Sequence, residues 1–370
     1  MHTSREISEN LESDPPSFMR GGERTSQPVA TVIESTLDSE KLRIRIERFQ
    51  SVRDSILAQV RQVIVGQEDV LDQILIGLFV GGHCLITGLP GTAKTLMVRT
   101  IAQTLGLAFK RIQFTPDLMP SDITGTDIIE EDPTTGHRRW TFVQGPIFAN
   151  ILLADEINRT PPKTQAALLE AMQEVACTVR GNRYQLPSPF FVLATQNPIE
   201  LEGTYPLPEA QLDRFLFNTV LDYLTAEEEL KVVDLTTTTR VAQVEAVTSA
   251  EEILDFQQLV RMVPIAETLA RYVVTLVRTT RHNSGIAPDF IKKYVSYGAS
   301  VRAAQFIVLS AKARALTHHR YHVTYEDITA LAIPVLRHRI LLNFHAESDR
   351  IEPDEILRRL LAQMPPPSGA

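Results

Sequence analysis

With 370 residues, 44% of them hydrophobic and 22% charged, the chain has the make-up of an ordinary soluble globular protein with room for two domains and flanking tails. A net charge of -8 and a pI of about 5.7 exclude the overall basic character that draws a protein to nucleic acid or to an anionic membrane. The acidic N-terminus has no apolar core, and the longest apolar run, Ile74 to Ile86, is broken by Gly77, Gly81, Gly82 and His83. Neither a secretory signal nor a membrane span is therefore expected, and a cytoplasmic protein is the default.

Residues 1–39 are rich in Ser, Glu, Pro, Gly and Arg without periodicity and predict a disordered tail. From Leu42 the pattern changes: Ile46, Phe49, Val52, Ile56, Val60 and Val63 recur at helical spacing. That helix ends at Val65-Gly66-Gln67-Glu68, and a second carries Val70, Ile74, Leu75 and Leu78 up to Gly81-Gly82. The glycine step reads equally as a plain turn or as a place where Val65 and Gly66 meet an adenine ring.

A short apolar strand, His83 to Thr87, then runs into Gly88-Leu89-Pro90-Gly91-Thr92-Ala93-Lys94-Thr95 and a helix through Leu96, Val98, Ile101, Ala102 and Leu105, stopped by Gly106. Strand, glycine-bearing loop, Lys-Thr and helix are what a phosphate-binding loop requires. Backbone N–H groups must point inward at phosphate oxygens, and the following helix adds its free N–H groups and positive end. In such a loop Lys94 reaches the β- and γ-phosphates and the Thr95 hydroxyl ligates Mg²⁺. The usual last glycine is Ala93 here, so the strict pattern fails, and taken alone the stretch also reads as an ordinary strand-to-helix turn.

Phe109 to Phe114 alternates like a strand, and the segment from Pro120 to Trp140 reads as an exposed insertion, a loop or hairpin with charged residues at its tip. Asn150 to Glu156 is an apolar run ending in paired carboxylates, as expected of a strand buried on both faces of a parallel sheet. Acidic residues at such a C-terminal end lie where ligands bind in open α/β sheets. Asp155 fits the role of holding Mg²⁺ through its water shell, and Glu156 that of the general base for attack on a γ-phosphate. Behind a phosphate loop the pair is far more telling than either motif alone. Thr160-Pro161-Pro162 then opens a helix, with a cap residue and proline at its first position.

Cys177 to Leu186 reads as a hairpin turning near Gly181-Asn182, and Phe190 to Thr195 as a buried strand ending at Gln196-Asn197. Asn197 can orient the attacking water or touch the γ-phosphate there. The two cysteines, Cys84 and Cys177, read as small buried hydrophobes in a reducing compartment. Arg214, in Asp213-Arg214-Phe215, either pairs with Asp213 at a helix end or reaches a neighbouring subunit's γ-phosphate. From Thr225 to His345 the chain reads as helices. Ser300 caps a long one, and Arg302 in its first turn opposes the helix dipole, which hints at use elsewhere, as on the nucleotide. His318 and His322 have metal-like spacing, but no carboxylate or cysteine joins them and a solvated helix end is the better reading. Pro353 to Leu361 predicts a short last helix, before the Pro365-Pro366-Pro367 end.

Together these segments resemble the AAA+ ATPases and, within them, the MoxR family. The likeness is carried in order by Val65 to Glu68, Gly88 to Thr95, Asp155-Glu156-Ile157-Asn158-Arg159, Pro161 to Gln165, Ala194 to Pro198, Pro208 to Phe215 and Gly298 to Arg302. The family commonly carries alanine at the position of Ala93. The resemblance implies an α/β class: a P-loop core with a parallel sheet flanked by helices, then an all-α lid, with ATP between them. It divides the chain into a disordered tail over 1–39, the core over 40–222, the lid over 223–346, and a short C-terminal helix and tail over 347–370.

By the same likeness Gly88, Pro90, Gly91, Thr92, Ala93, Lys94, Thr95 and Leu96 form the Walker A loop, and Asp155 and Glu156 the Walker B pair. Asn197 is the first sensor, Arg214 the trans-acting finger and Arg302 the second sensor, although Val301 replaces the proline often found before it. ATP and Mg²⁺ are the implied ligands. Such proteins typically form hexameric rings and act like chaperones, often with von Willebrand factor A-domain partners, in remodelling or maturing other proteins or inserting metal cofactors. Rival readings are a nucleic-acid-remodelling motor of the same superfamily, a nucleotide-gated scaffold with little turnover, and a small-molecule kinase. The acidic balance opposes the first. Intact Lys94, Asp155, Glu156 and Asn197 oppose the second. The third has no need of Asn197, Arg214 and a helical lid together.

Overall fold

The computed structural model describes residues 29–89, 91–131, 137–198, 203–238 and 243–367. Helix α1 (Val29–Val60) begins upstream of residue 39, so the tail boundary expected from composition falls inside a helix; residues 1–28 of that tail lie outside the described residues. The stretch up to Ile44 is a unit by itself, and the chain from Arg45 onward forms a second. Within that second unit the periodic residues Ile46, Phe49, Val52, Ile56 and Val60 are all buried. Gly66, at φ +68°, and Gln67, at φ 58°, turn the chain into α2 (Glu68–Val80).

Five parallel strands make the central sheet: β1 (His83–Gly88), then after α3 (Lys94–Thr104) β2 (Phe109–Gln113), and later β5 (Ile151–Asp155), β8 (Phe191–Gln196) and β9 (Phe215–Leu221). Their order is β2-β5-β8-β1-β9. Every residue of β5 is buried, and only the last residue of β8 is not, because helices such as α2 and α3 cover the sheet. The chain leaves β1 for the far edge at β2 and works back through β5 and β8 before placing β9 on the other side. The ends of β5, β8 and β1 thus lie side by side at a switch point, the position where open α/β sheets bind ligands.

The predicted insertion is α4 (Pro120–Thr124) followed by an antiparallel hairpin of β3 (Gly125–Glu131) and β4 (Arg138–Gln144); its tip, residues 132–136, lies outside the described residues. After α5 (Pro162–Glu174) a second hairpin, β6 (Ala176–Val179) and β7 (Asn182–Gln185), turns at Gly181 as expected. Phe142 stacks on Tyr184 at 4.0 Å and the Arg180 guanidinium lies 4.5 Å over the Trp140 ring, so the two hairpins pack on each other. Thr160 is not the cap of α5, which Pro161 precedes; its hydroxyl donates instead to the carbonyl of Thr115 at 2.7 Å.

A one-turn helix α6 (Glu209–Leu212) leads into β9, after which come α7 (Ala226–Thr236), α8 (Ala250–Met262), α9 (Glu267–Thr279) and α10 (Asp289–Tyr294). A short antiparallel ladder, β10 (Val295–Tyr297) with β11 (Leu341–Leu342), flanks α11 (Val301–Thr317) and α12 (Tyr325–Leu336) and was not legible in the sequence. The chain closes with α13 (Phe344–Ser348) and α14 (Pro353–Gln363). The helical part is not detached from the sheet part: the rings of Phe49, Phe79 and Phe256 meet at centroid distances of 4.7 to 6.1 Å, joining α1, α2 and α8. Cys84 and Cys177 are free and buried, as expected. His318 bonds the Arg314 carbonyl at a helix end, and among the described residues it belongs to no metal cluster. Among the described residues no helix is long and apolar enough to cross a membrane.

Candidate functional site

At the C-terminal ends of β1, β5 and β8 a cleft of about 490 Å³ is lined by Gly91, Thr92, Ala93, Lys94, Thr95, Leu96, Asp155, Glu156, Thr195 and Asn197. Residues more than a hundred positions apart in sequence meet there because three adjacent parallel strands end at one edge. Ala93 supplies the turn into α3 at φ 59°, ψ 22°, the left-handed region that explains why glycine is usual at this point. For alanine the turn costs on the order of 1 kcal/mol, a strain that the loop accepts. Gly88 is needed for a different reason: a Cβ on it would lie 2.7 Å from that of Leu221 on the neighbouring strand β9. Pro90 lies outside the described residues.

The Lys94 ammonium donates to the carbonyls of Gly88 and Leu89, both at 2.8 Å, and so arches back over the loop it follows. Burial lowers its pKa, against the upward pull of the Asp155 and Glu156 carboxylates. The free N–H groups of the first turn of α3 open toward the same space.

Asp155 is buried and accepts from the Thr195 hydroxyl at 2.6 Å and from Arg111 at 2.6 and 3.1 Å. Glu156 has a left-handed backbone, φ 56°, uncommon for a residue with a Cβ. Its N–H donates to Thr195 Oγ1 at 2.9 Å, while its carboxylate accepts from Gln113 at 2.8 Å and pairs with Arg159 at 3.2 Å. One hydroxyl, that of Thr195, therefore fixes both acidic residues. Sequence reading missed Thr195, Arg111 and Gln113. The register signal was there only in part: Gln113 sits opposite Asp155 across the β2–β5 pairing, which no local pattern reveals.

A second cavity of about 450 Å³ shares Gly91, Thr92, Ala93 and Leu96 with the first and extends it over apolar surface from Ile64, Val65, Leu224, Val232 and Leu235. An anion cradle opening into an apolar slot has the shape of a site for a nucleotide with its base in the slot. Val65 lines that slot. Gly66 does not, but a Cβ on it would come within 2.5 Å of Glu228 Oε1, so the glycine lets the α1–α2 turn approach the start of α7. Gln67 pins the same junction by donating to the Asp222 carbonyl at 2.8 Å.

Two of the expected site residues are elsewhere. Arg214 donates to the Leu169 carbonyl at 2.7 Å and lines neither cavity. Arg302 also lines neither; its guanidinium pairs with Asp213 at 3.2 Å, beside Arg214 in the chain. The first turn of α11 faces the α6–β9 junction, where Ser300 and Arg302 both reach Asp213.

Comparison with known proteins agrees with this geometry. The ATPase family associated with various cellular activities matches residues 83–217, and the AAA lid domain matches residues 290–360. Chaperone MoxR1 of Mycobacterium tuberculosis is 43% identical over 303 residues, 82% of this chain and 79% of that protein. The uncharacterized protein YeaC of Bacillus subtilis is 42% identical over 309 residues, 83% of this chain and 92% of its own length. A crystal structure of a proposed ATPase from Cytophaga hutchinsonii superimposes with a TM-score of 0.80 at 42% identity, covering 90% of this chain and 99% of that one. With a phosphate-loop cleft at the switch point of a parallel sheet, a helical lid behind it and relatives of this likeness, the chain belongs to the MoxR family of AAA+ ATPases.

Proposed function

We propose that this protein hydrolyses ATP in a ring of identical subunits, each site being completed by the next subunit, and uses the cycle to remodel or mature partner proteins. The observation that carries the reading is the cleft that gathers Lys94, Thr95, Asp155, Glu156 and Asn197 while Arg214 lines neither it nor the adjoining slot. An arginine finger used in trans belongs outside its own cleft.

In this reading the amides of Gly91 to Thr95 and the Lys94 ammonium hold the β- and γ-phosphates, and Val65 and Leu224 flank the base. Glu156, released from Gln113, takes a proton from the water that attacks the γ-phosphorus as the β–γ bond breaks and ADP leaves. Asn197 orients that water. Arg214 of the adjoining subunit meets the charge that builds on the γ-phosphoryl oxygens, and Arg302, held next to it by Asp213, serves the same shared interface. The donor set fits Mg²⁺: Thr95 and Asp155 line one wall of the cleft and, among the described residues, no closed cage of acidic or His/Cys side chains competes. When bound there the ion would offset phosphate charge.

The chaperone name of the mycobacterial relative supports the remodelling role. A hexameric ring, a partner with a von Willebrand factor A domain, metal-cofactor insertion as the maturation step, a cytoplasmic setting and the division into core (40–222), lid (223–346) and C-terminal segment (347–370) come from the family likeness and belong to the same proposal. The direct test is Glu156→Gln. It is expected to bind ATP as the unmodified protein does and to hydrolyse it at least about 100-fold more slowly. Undiminished hydrolysis would remove Glu156 as the base.

A further inference from the structure

Three side chains of the helical region converge on Asp213, the residue that precedes Arg214. Arg339, just beyond α12, donates from Nε to Asp213 Oδ1 at 2.8 Å and from Nη2 to the Asp213 carbonyl at 2.9 Å. It also reaches the carbonyls of Phe215, Leu216 and Val335 and lies 5.0 Å over the Phe306 ring. Its side chain is 1% exposed. Ser300, the cap of α11, donates to both Asp213 oxygens, at 3.1 and 3.3 Å, and Arg302 pairs with Oδ2 at 3.2 Å. His338 adds a contact from Nε2 to the Phe215 carbonyl at 3.1 Å. A buried guanidinium is tolerated only where its donors are met, so this cluster is a rigid joint and not a surface ion pair. Asp213 is its hub.

We infer that Asp213 is a positioning residue which, through Arg339 and the first turn of α11, sets where Arg214 is presented to the neighbouring subunit. The inference rests on the reading of Arg214 as a trans-acting finger. Arg214 is bonded to Asp213 through the main chain, and its own guanidinium is held by one carbonyl, that of Leu169. A shift of α11 against the sheet must carry Asp213 with it or break these bonds, and a displacement of about 1 Å at a catalytic group costs up to about 100-fold in rate. The lid of one subunit is thereby tied to catalysis in the next.

The test is complementation in mixed rings. Asp213→Asn keeps an acceptor for Arg339 while discharging the group that Arg302 holds. Alone it is expected to hydrolyse ATP about tenfold more slowly, with ATP affinity unchanged. Glu156→Gln is inactive at its own site but has an intact Asp213–Arg214 step. In a random one-to-one mixture about a quarter of the interfaces pair an intact cleft with an intact finger, so activity per subunit is expected at about a quarter of the unmodified protein. That exceeds either variant alone. Arg214→Ala mixed with Glu156→Gln is run alongside.

If Arg214→Ala is rescued by mixing and Asp213→Asn is not, Asp213 acts within its own subunit and the inference is overturned while the shared-site reading stands. If neither is rescued, both fall. Should Asp213→Asn fail to assemble, Ser300→Gly replaces it. That change costs a helix cap only a few tenths of a kcal/mol and removes one donor to Asp213. A smaller loss is then expected, with activity per subunit in the mixture above half that of Ser300→Gly alone, and a mixture at half that value contradicts the inference.

Discussion

Three residues in or beside the site hold backbone conformations that a side chain resists, and each does so for a different reason. Ala93 turns the phosphate loop into α3, Glu156 aims a carboxylate across the cleft, and Gly66 lets the α1–α2 turn touch α7. Gly66 has the most to lose. A Cβ there would adopt φ +68° and press within 2.5 Å of Glu228, whose other carboxylate oxygen accepts from the N–H and hydroxyl of Thr225 in the cap of α7, each at 2.9 Å. Gly66→Ala is expected to destabilise the protein by about 1–2 kcal/mol in urea unfolding. It should also weaken the binding of a fluorescent ATP analogue, because Val65 and Leu224 line the slot on either side of that contact. Unchanged binding would separate the slot from the base. At this scale the sequence was readable where a residue's role is local, as for Lys94, Thr95 and Gly91. Thr195, Arg111 and Gln113 escaped because their partners are some forty residues away on neighbouring strands.

Strands β1, β5 and β8 carry the site, and their long apolar runs make them legible in the sequence. Helix α11 is legible from its capping serine and the β6–β7 hairpin from its glycine turn, whereas the β3–β4 segment reads only as a loop or hairpin. The start of helix α1 and the β10–β11 ladder are not. The first follows a Ser-, Pro- and Gly-rich stretch without a clear start signal, and the second is too short to alternate. How the strands are held to their helices has a pH consequence. His83, the first residue of β1, bonds the Met172 carbonyl at the end of α5 at 3.0 Å and accepts from the Val192 N–H of β8 at 3.1 Å. It is buried and neutral, and burial pushes its pKa down from 6.5 to about 4. The unfolded chain therefore binds a proton that the folded one refuses, and stability drops as pH falls from 6.5 toward 4, by up to about 3 kcal/mol. His338, lowered in the same direction chiefly by burial, adds to this loss. Between about pH 7 and pH 5 the parent protein should lose about 2 kcal/mol more in urea unfolding than His83→Gln does. Equal losses would mean that His83 is protonated in the fold.

At the scale of the molecule the helical region and the sheet region share several contacts. The helical region packs on α1 and α2 through Phe256, lines the apolar slot through α7, and holds the start of β9 through Asp213. On the proposed reading, nucleotide state at the cleft would reach the lid through α7, and the lid would reach the edge that carries Arg214 through Asp213. The chain's net charge of -8 gives no support to a nucleic-acid motor, and the gathering of Lys94, Asp155, Glu156 and Asn197 in one cleft gives none to an inert scaffold. What distinguishes the account from that of a self-sufficient ATPase is that Arg214 stands outside the cleft of its own subunit. The most direct measurement is ATP hydrolysis per subunit as a function of protein concentration, with Arg214→Ala beside the unmodified chain. The expected result is activity per subunit that rises with concentration to a plateau and falls about 1,000-fold in Arg214→Ala with ATP binding retained. Activity that is independent of concentration and survives Arg214→Ala would contradict a site shared between subunits.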